Sequence, residues 1–190
     1  MEIAMPNWCE VNLDIIVSTK AEAKNIEKAV KANNILNHLC PEPSNMSHDA
    51  VNDEKALKLR SQGIHNWYDW RVENWGTKWE LADGDVELYE EPNGTYCVRI
   101  WGNTAWAPPI TALRYYKERN PSSTVILYYF EPGMDFVGKF DGETDWCYRP
   151  SIIVQHKREY EEGLEGIEEE LDEMFNLSEQ LDFDEDSDDE

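Results

Sequence analysis

The chain has 190 residues, with 40 acidic against 17 basic side chains and a formal net charge of −23 at pH 7. That charge disfavours binding to a nucleic-acid backbone, which depends on Lys and Arg, and favours basic partners. The sequence shows no membrane-length apolar stretch and no leader peptide, and none of its four cysteines lies in a Cys-x-x-Cys motif. We therefore expect a soluble cytosolic protein with reduced thiols.

The acidic residues are concentrated at the C-terminus. Seventeen of the 40 lie between Glu159 and Glu190, a stretch without Lys or Arg, and all eight tryptophans precede it. This change in composition predicts a domain over residues 1–156, an acidic amphipathic helix over 157–181 and a disordered acidic end over 182–190.

The first elements follow from periodicity and capping. Apolar and polar residues alternate over Asn7–Val17, which predicts a strand with one buried face. Thr19–Glu22 has the spacing of a capping box and predicts a helix that reaches about Ala32.

The middle of the chain is predicted to form an inserted helical segment followed by a hairpin. The two prolines within Leu39–Ser47 predict a loop, and a second helix follows over about Asp49–Ser61. A short helix then ends near Gly76. We expect Thr77–Tyr89 and Tyr96–Trp101 to form two strands joined by a turn.

The last third adds a helix and further strands. Prolines in the first turn predict a helix over Ala107–Pro121, and Ser123–Phe130 is apolar on both faces, as in a central strand. Asp135–Phe140 and Ser151–Val154 are predicted to be short strands. The whole order predicts an α+β fold, a ferredoxin-like split βαβ antiparallel sheet with inserted helices after the first helix.

Five motifs in this order, MPNWCEVNL, LCPEP, NWGTKW, TAWAPP and EPGMDFVG, resemble the YubB ferredoxin-like domain family, an uncharacterised group carried by phages and plasmids. The pattern of that family is complete at Met5–Cys9 and Asn74–Trp79, and at Thr104–Pro109 it departs only by Ala107 in place of Ser. The resemblance covers roughly residues 5–145. It implies the fold and a mobile-element context, and it implies no reaction.

The tryptophan-rich motifs allow two interpretations. The indoles pack on the sheet and anchor the inserted helices, or they line a cleft for a small ligand with a few polar groups. The second interpretation assigns ligand-binding roles to Asn74, Trp75, Thr77, Lys78, Trp79, Thr104 and Trp106.

Catalytic, metal and RNA-binding roles find little support. The four histidines are scattered, and no nucleophile, zinc or phosphate-loop motif is present. The acidic end lacks the Gly and the final Glu of a calcium loop. The strand Tyr96–Asn103 lacks the basic-Gly-aromatic signature of RNA-recognition modules. We expect no enzyme, no cofactor and no metal.

The acidic tail carries an apolar stripe at helical spacing. Like-charge pairs oppose the isolated helix by about 2–4 kcal/mol, whereas burial of six apolar side chains contributes roughly 9–18 kcal/mol before entropy losses. The helix should therefore form only where its stripe is covered by its own domain, a second copy or another protein. The predicted partner-binding residues are Tyr160, Leu164, Ile167, Leu171, Met174, Glu165, Glu169 and Glu173.

These observations predict a non-enzymatic binding protein of a phage or plasmid. The tail would contact a host protein that has a basic surface and would inhibit or modulate it, with its carboxylates mimicking nucleic acid. A tail-mediated homodimer remains open. The alternative is a small-molecule or nucleotide-binding module that uses the tryptophan cleft.

Overall fold

A computed structural model describes residues 7–48, 53–159 and 164–185. The described chain forms eight strands and eight α-helices. In chain order these are β1 (Trp8–Val17), α1 (Lys20–Lys31), α2 (Ile35–Leu39), β2 (Met46–Ser47), α3 (Asp53–Ser61), β3 (His65–Asn66), α4 (Trp67–Trp75), β4 (Ala82–Glu90), β5 (Tyr96–Ala105), α5 (Ile110–Arg119), β6 (Thr124–Glu131), β7 (Phe136–Phe140), β8 (Asp145–Tyr148), α6 (Pro150–Glu159), α7 (Ile167–Phe175) and α8 (Leu177–Glu185).

Six strands form one antiparallel sheet in the order β4-β5-β1-β6-β7-β8. The fold is therefore α+β. With α1 between β1 and β4 and α5 between β5 and β6, the first four strands of that order are compatible with the predicted ferredoxin-like arrangement. The strands β2 and β3 form a separate parallel pair.

The main core lies between one face of the sheet and the helices α1 and α5. Alternate residues of β1, from Cys9 to Val17, are buried on this face, as the period-2 pattern predicts. On α1, the Thr19 side chain accepts a hydrogen bond from the backbone N–H of Glu22, so the predicted cap is present. Ile26 and Leu113 contribute fully buried side chains from the two helices.

The inserted segment α2–α4 packs beside this core. The Glu80 carboxylate accepts hydrogen bonds from the backbone N–H groups of Leu36 and Asn37, both at 2.8 Å, and so holds the first turn of α2. Of the helix predicted over about Asp49–Ser61, α3 covers Asp53–Ser61, and residues 49–52 lie outside the described residues.

The prediction of a strand at Ser151–Val154 is wrong. These residues belong to α6, and the last strand of the sheet is β8, which pairs with β7. A four-residue apolar run does not by itself distinguish a strand from a buried helical turn. Pro150 suits the first turn of a helix, and Ile153 and Val154 are buried against a second core.

The single helix predicted over 157–181 is also wrong. The described tail contains the end of α6, then α7 and α8. The helix α7 begins after Gly166 and ends before Asn176, which have positive φ angles of 63° and 51°, and residues 160–163 lie outside the described residues. Part of the end predicted to be disordered, residues 182–185, belongs to α8, and residues 186–190 lie outside the described residues.

The tail helices pack against their own domain, on the face of the sheet opposite α1. This second core joins the strands β6 and β7 to all three tail helices, so the described part of the apolar stripe, except Met174, packs within one chain. Its buried members are Phe130, Val137, Ile153, Val154, Leu171, Phe175 and Leu177.

Candidate functional site

Two surface clusters contain the exposed residues that the sequence predicts to bind a ligand or a partner. The indole cluster comprises Trp8, Trp79 and Trp106 with Lys78, and lies where β1 and β5 meet the loops around them. The acidic face comprises Glu165, just before α7, and Glu169 and Glu173 on α7.

A glycine at the end of α4 fixes the backbone beneath the indole cluster. Gly76 has φ = 87°, a left-handed conformation that glycine adopts without strain. A Cβ atom added there would lie 3.0 Å from the Pro108 carbonyl oxygen. The two motifs NWGTKW and TAWAPP therefore contact each other through their backbones, and this contact brings their tryptophans together.

Trp75, a predicted ligand residue, lies in the core. Its side chain is fully buried, and its indole N–H donates a hydrogen bond to the Cys40 carbonyl at 2.8 Å. The Arg71 guanidinium carbon lies 4.6 Å from the centroid of the same ring. Trp75 thus anchors α4 to the α2 region and has no surface to offer a ligand.

The predicted polar residues of the cleft make hydrogen bonds within the fold. The buried hydroxyl of Thr77 donates to the Ala105 carbonyl, and that of Thr104 donates to the Ala107 carbonyl, both at 2.9 Å. The Asn74 amide donates to the Trp70 carbonyl. These bonds hold the loops in place, which is the role that buried polar groups usually have.

Lys78 occupies the space between two indoles. Its Nζ lies 3.9 Å from the ring centroid of Trp79 and 3.6 Å from that of Trp106, distances that allow strong cation–π contacts. Burial lowers the pKa of this ammonium. A ligand stacked between these rings would have to displace the lysine.

Trp106 and Trp8 form the solvent-facing edge of the cluster. Trp106 has φ = 71°, an unusual conformation for a bulky residue, and its backbone N–H donates to the Asn7 carbonyl at 2.9 Å. Trp8 lies 6.0 Å from Trp79 between ring centroids. The sequence-based assignment did not include Trp8, although this residue belongs to the same first motif.

In the tail, several carboxylates bind the tail's own domain. Glu170 accepts hydrogen bonds from Lys139 on β7 and from the Tyr128 hydroxyl on β6. The hydrogen bond from Lys139 lowers the pKa of Glu170, against the opposing effect of partial burial. The sequence gives no strand register, so this pairing could not be predicted from it.

Asp172 is buried and links the three tail helices. It accepts hydrogen bonds from Lys157 on α6 and from the backbone N–H and hydroxyl of Ser178 on α8. Burial tends to raise the pKa of Asp172, but these hydrogen bonds outweigh it, and the pKa is lowered.

The structure divides the predicted partner-binding residues between the core and the surface. Leu171 is fully buried against the sheet, so its assignment to a partner contact is wrong, because its own domain covers it. Leu164 and Ile167 are half-buried and pack on the second core, and Tyr160 lies outside the described residues. The exposed members are Glu165, Glu169, Glu173 and Met174.

Within residues 7–48, 53–159 and 164–185, no three His, Cys, Asp or Glu side chains come together as a metal site. No helix in this part of the chain combines the length and apolar character that a membrane crossing requires.

Comparison with known proteins yields one distant structural likeness. No protein-family model matches the chain, and no curated protein matches it. A crystal structure of a protein api92 from Yersinia pseudotuberculosis, with the family description DUF1281, aligns with a TM-score of 0.39 and 7% identity. The alignment covers 76% of this chain and 98% of that one. A likeness at this level carries no conclusion about function.

Proposed function

We propose that this is a non-enzymatic binding protein of a phage or plasmid, which acts in the host cytoplasm by contacting a host protein through its acidic face. The observation that carries the proposal is the packing of α7 on its own sheet. Leu171 and Phe175 are buried there, whereas Glu165, Glu169 and Glu173 remain exposed. The resemblance to the YubB family supports the mobile-element context.

Packing within the chain prepares the acidic face for binding. A helix that is already docked loses little conformational entropy when a partner binds, so more of the contact energy appears as affinity. Glu169 and Glu173 lie one helical turn apart, about 6 Å along the axis. No Lys or Arg occurs within the tail from Glu159 onward. Exposed carboxylates with no basic residue among them favour a basic partner surface, as the phosphates of a nucleic acid do.

The same packing argues against a homodimer formed through the tail stripe. The stripe is already used within the chain, and on α7 the large apolar side chain that stays exposed is Met174, at 43%. A single thioether side chain offers much less apolar area than a stable interface requires.

The test is affinity capture from bacterial host cells with three proteins: the native chain, a triple variant of the acidic face and a charge-matched control. The triple variant is Glu165→Gln, Glu169→Gln and Glu173→Gln. The control changes three exposed glutamates on α3, α4 and α5, Glu54→Gln, Glu73→Gln and Glu118→Gln. Both variants lose the same net charge, so they separate a specific surface from general acidity.

We expect the native chain and the control to retain the same host protein, identified by mass spectrometry, and the triple variant to lose it. Capture should weaken as salt rises, because exposed charge pairs are screened. Equal retention by all three proteins, or equal loss by both variants, would exclude the acidic face as the specific contact.

A second candidate function, a small-molecule or nucleotide site at the indole cluster, is favoured by the backbone of Trp106. A bulky residue with φ = 71° stores strain, and such strain often accompanies a binding site. Here a ligand would exchange with Lys78 between the two rings. Lys78→Ala should then change the affinity for that ligand and leave capture by the acidic face unaffected.

A further inference from the structure

A cavity of about 300 Å³ lies on the face of the sheet opposite α1 and α5. It shares no residue with the indole cluster or with the acidic face, and its size is at the lower end of the range for ligand pockets. The residues that line it are Asn12, Asp14, Arg99, Trp101, Ile126, Tyr128 and Met174.

Strand register places an amide between two aromatic residues in this cavity. Asn12 on β1 is the direct cross-strand neighbour of Trp101 on β5 and of Tyr128 on β6. Side chains at directly opposite positions project from the same face of a sheet. Met174 of α7 contributes to one wall. The cavity thus combines an aromatic floor, a central amide and an apolar wall.

At the next cross-strand position on this face, Arg99 on β5 forms an ion pair with Asp14 on β1. The Nε and Nη2 atoms of Arg99 donate to the two carboxylate oxygens of Asp14, both at 2.8 Å. The hydrogen bonds that it donates to Asp14 raise the pKa of the guanidinium, against the opposing effect of burial. This two-point pairing fixes the plane of the guanidinium and leaves Nη1 outside the pair.

Several polar groups around the cavity have unused hydrogen-bonding capacity. Toward the described residues, the side-chain amide of Asn12, the indole N–H of Trp101 and Nη1 of Arg99 make no hydrogen bond. All three side chains are at least partly accessible. An amide can donate and accept at once, whereas guanidinium and indole can only donate. A complementary ligand is therefore planar, with several acceptors and at least one donor on its edges.

The surroundings of the cavity select against a negative charge. Asp85 and Glu87 on β4 are the cross-strand neighbours of Trp101 and Arg99, and Glu10 lies on the same face of β1 as Asn12. All three are exposed. Since Arg99 is already neutralised by Asp14, a phosphate would meet a net negative field.

We infer that this cavity binds an uncharged purine, as the free base or the nucleoside. The purine ring stacks on Trp101, and the guanidinium and the amide contact its acceptor and donor edges. Arginine and asparagine are the side chains that most often read purine edges in this way. Stacking on an aromatic residue supplies most of the affinity, since every base has a π-face.

The test is isothermal titration of the full chain with guanosine, adenosine and GMP. We expect at least one nucleoside to bind with one site per chain and GMP to bind more weakly than guanosine. Trp101→Leu should weaken nucleoside binding by at least about tenfold, the loss expected for one stacking interaction. Asn12→Ser, a smaller change on the same strand row, should also weaken it.

Tyr68→Leu is the control, because it removes an exposed aromatic side chain of α4 that belongs to neither candidate site, and it should leave nucleoside affinity unchanged. Circular dichroism verifies that each variant is folded. The inference is overturned if neither nucleoside binds up to its solubility limit, if GMP binds more tightly than guanosine, or if Trp101→Leu and Asn12→Ser bind the nucleoside as tightly as the native chain does. None of these variants alters the acidic face, so this result and the capture experiment succeed or fail separately.

Discussion

The ring of Phe130, on β6, lies 5.6 Å from the ring of Phe175, on α7, measured between centroids. This pair joins the sheet to a tail that is too acidic to form a stable helix by itself. Its position explains how an acidic segment folds without a second protein, because the domain supplies the apolar surface that covers the stripe.

Phe175→Ala should destabilise the protein strongly. Phe175 is buried, and truncation of a buried phenylalanine costs about 3–5 kcal/mol through lost contacts and the cavity left behind. Urea unfolding monitored by circular dichroism measures this loss. Met174→Ala, one residue earlier and 43% exposed, is the control and should change the free energy of unfolding by much less. Similar values for the two variants would contradict packing of α7 on the sheet.

The tail should also make stability depend on acid pH. Glu170 and Asp172 have folded-state pKa values below their ordinary values of 4.5 and 3.8, so the unfolded chain binds more protons in this range. Their contribution is complete above about pH 4.5 and is lost as the pH falls through the folded-state pKa values.

The double variant Glu170→Gln and Asp172→Asn isolates this contribution. It should be less stable than the native chain at neutral pH and should show a shallower fall in the free energy of unfolding below pH 4.5. Unfolding curves measured at a series of pH values provide the comparison. Parallel pH profiles for the two proteins would show that the ion pairs to Lys139 and Lys157 add nothing to folding.

Gly76→Ala should cost more than Gly94→Ala. Both glycines have φ angles near 85°, so each alanine introduces left-handed strain of about 1–2 kcal/mol. At Gly76 the new methyl group also lies 3.0 Å from the Pro108 carbonyl, whereas at Gly94 nothing lies within 4 Å. Thermal unfolding of both variants tests this difference, and equal losses would mean that the two tryptophan motifs are not in backbone contact.

Lys78 should report on its neighbouring indoles through tryptophan fluorescence. Because burial lowers the pKa of Lys78, its ammonium should lose its proton below the ordinary value of 10.5, and the nearby rings should change their emission. The difference between the native chain and Lys78→Met, measured across alkaline pH, removes the contribution of the tyrosines. Identical titration curves would show that the lysine does not lie between Trp79 and Trp106.

The sequence predicted those features that depend on neighbours along the chain. Alternation in β1, the Thr19 cap and the glycine end of α4 are local signals, and all are present in the fold. The distribution of tail residues between surface and core was not predictable. An apolar stripe shows that these side chains must be buried, but it does not show which surface buries them. The broken tail helix was missed because the stripe continues across Gly166 and Asn176.

The cavity on the sheet was missed for a related reason. In the sequence, Asn12 and Asp14 occupy the solvent-facing positions of the half-buried strand β1. Arg99 and Trp101 occupy the solvent-facing positions of β5. Only strand register shows that these four side chains meet. Polar residues on the exposed face of a strand usually have no further role, so periodicity alone gives no reason to group them.

Hydrogen exchange of the α7 backbone amides tests the central claim most directly, namely that the acidic tail is covered by its own domain and so presents a preformed acidic face. Measured by mass spectrometry at several protein concentrations, the amides of Leu171 to Phe175 should exchange slowly and at the same rate throughout. Exchange at the rate of an unstructured peptide, or protection that appears only as the concentration rises, would contradict the account.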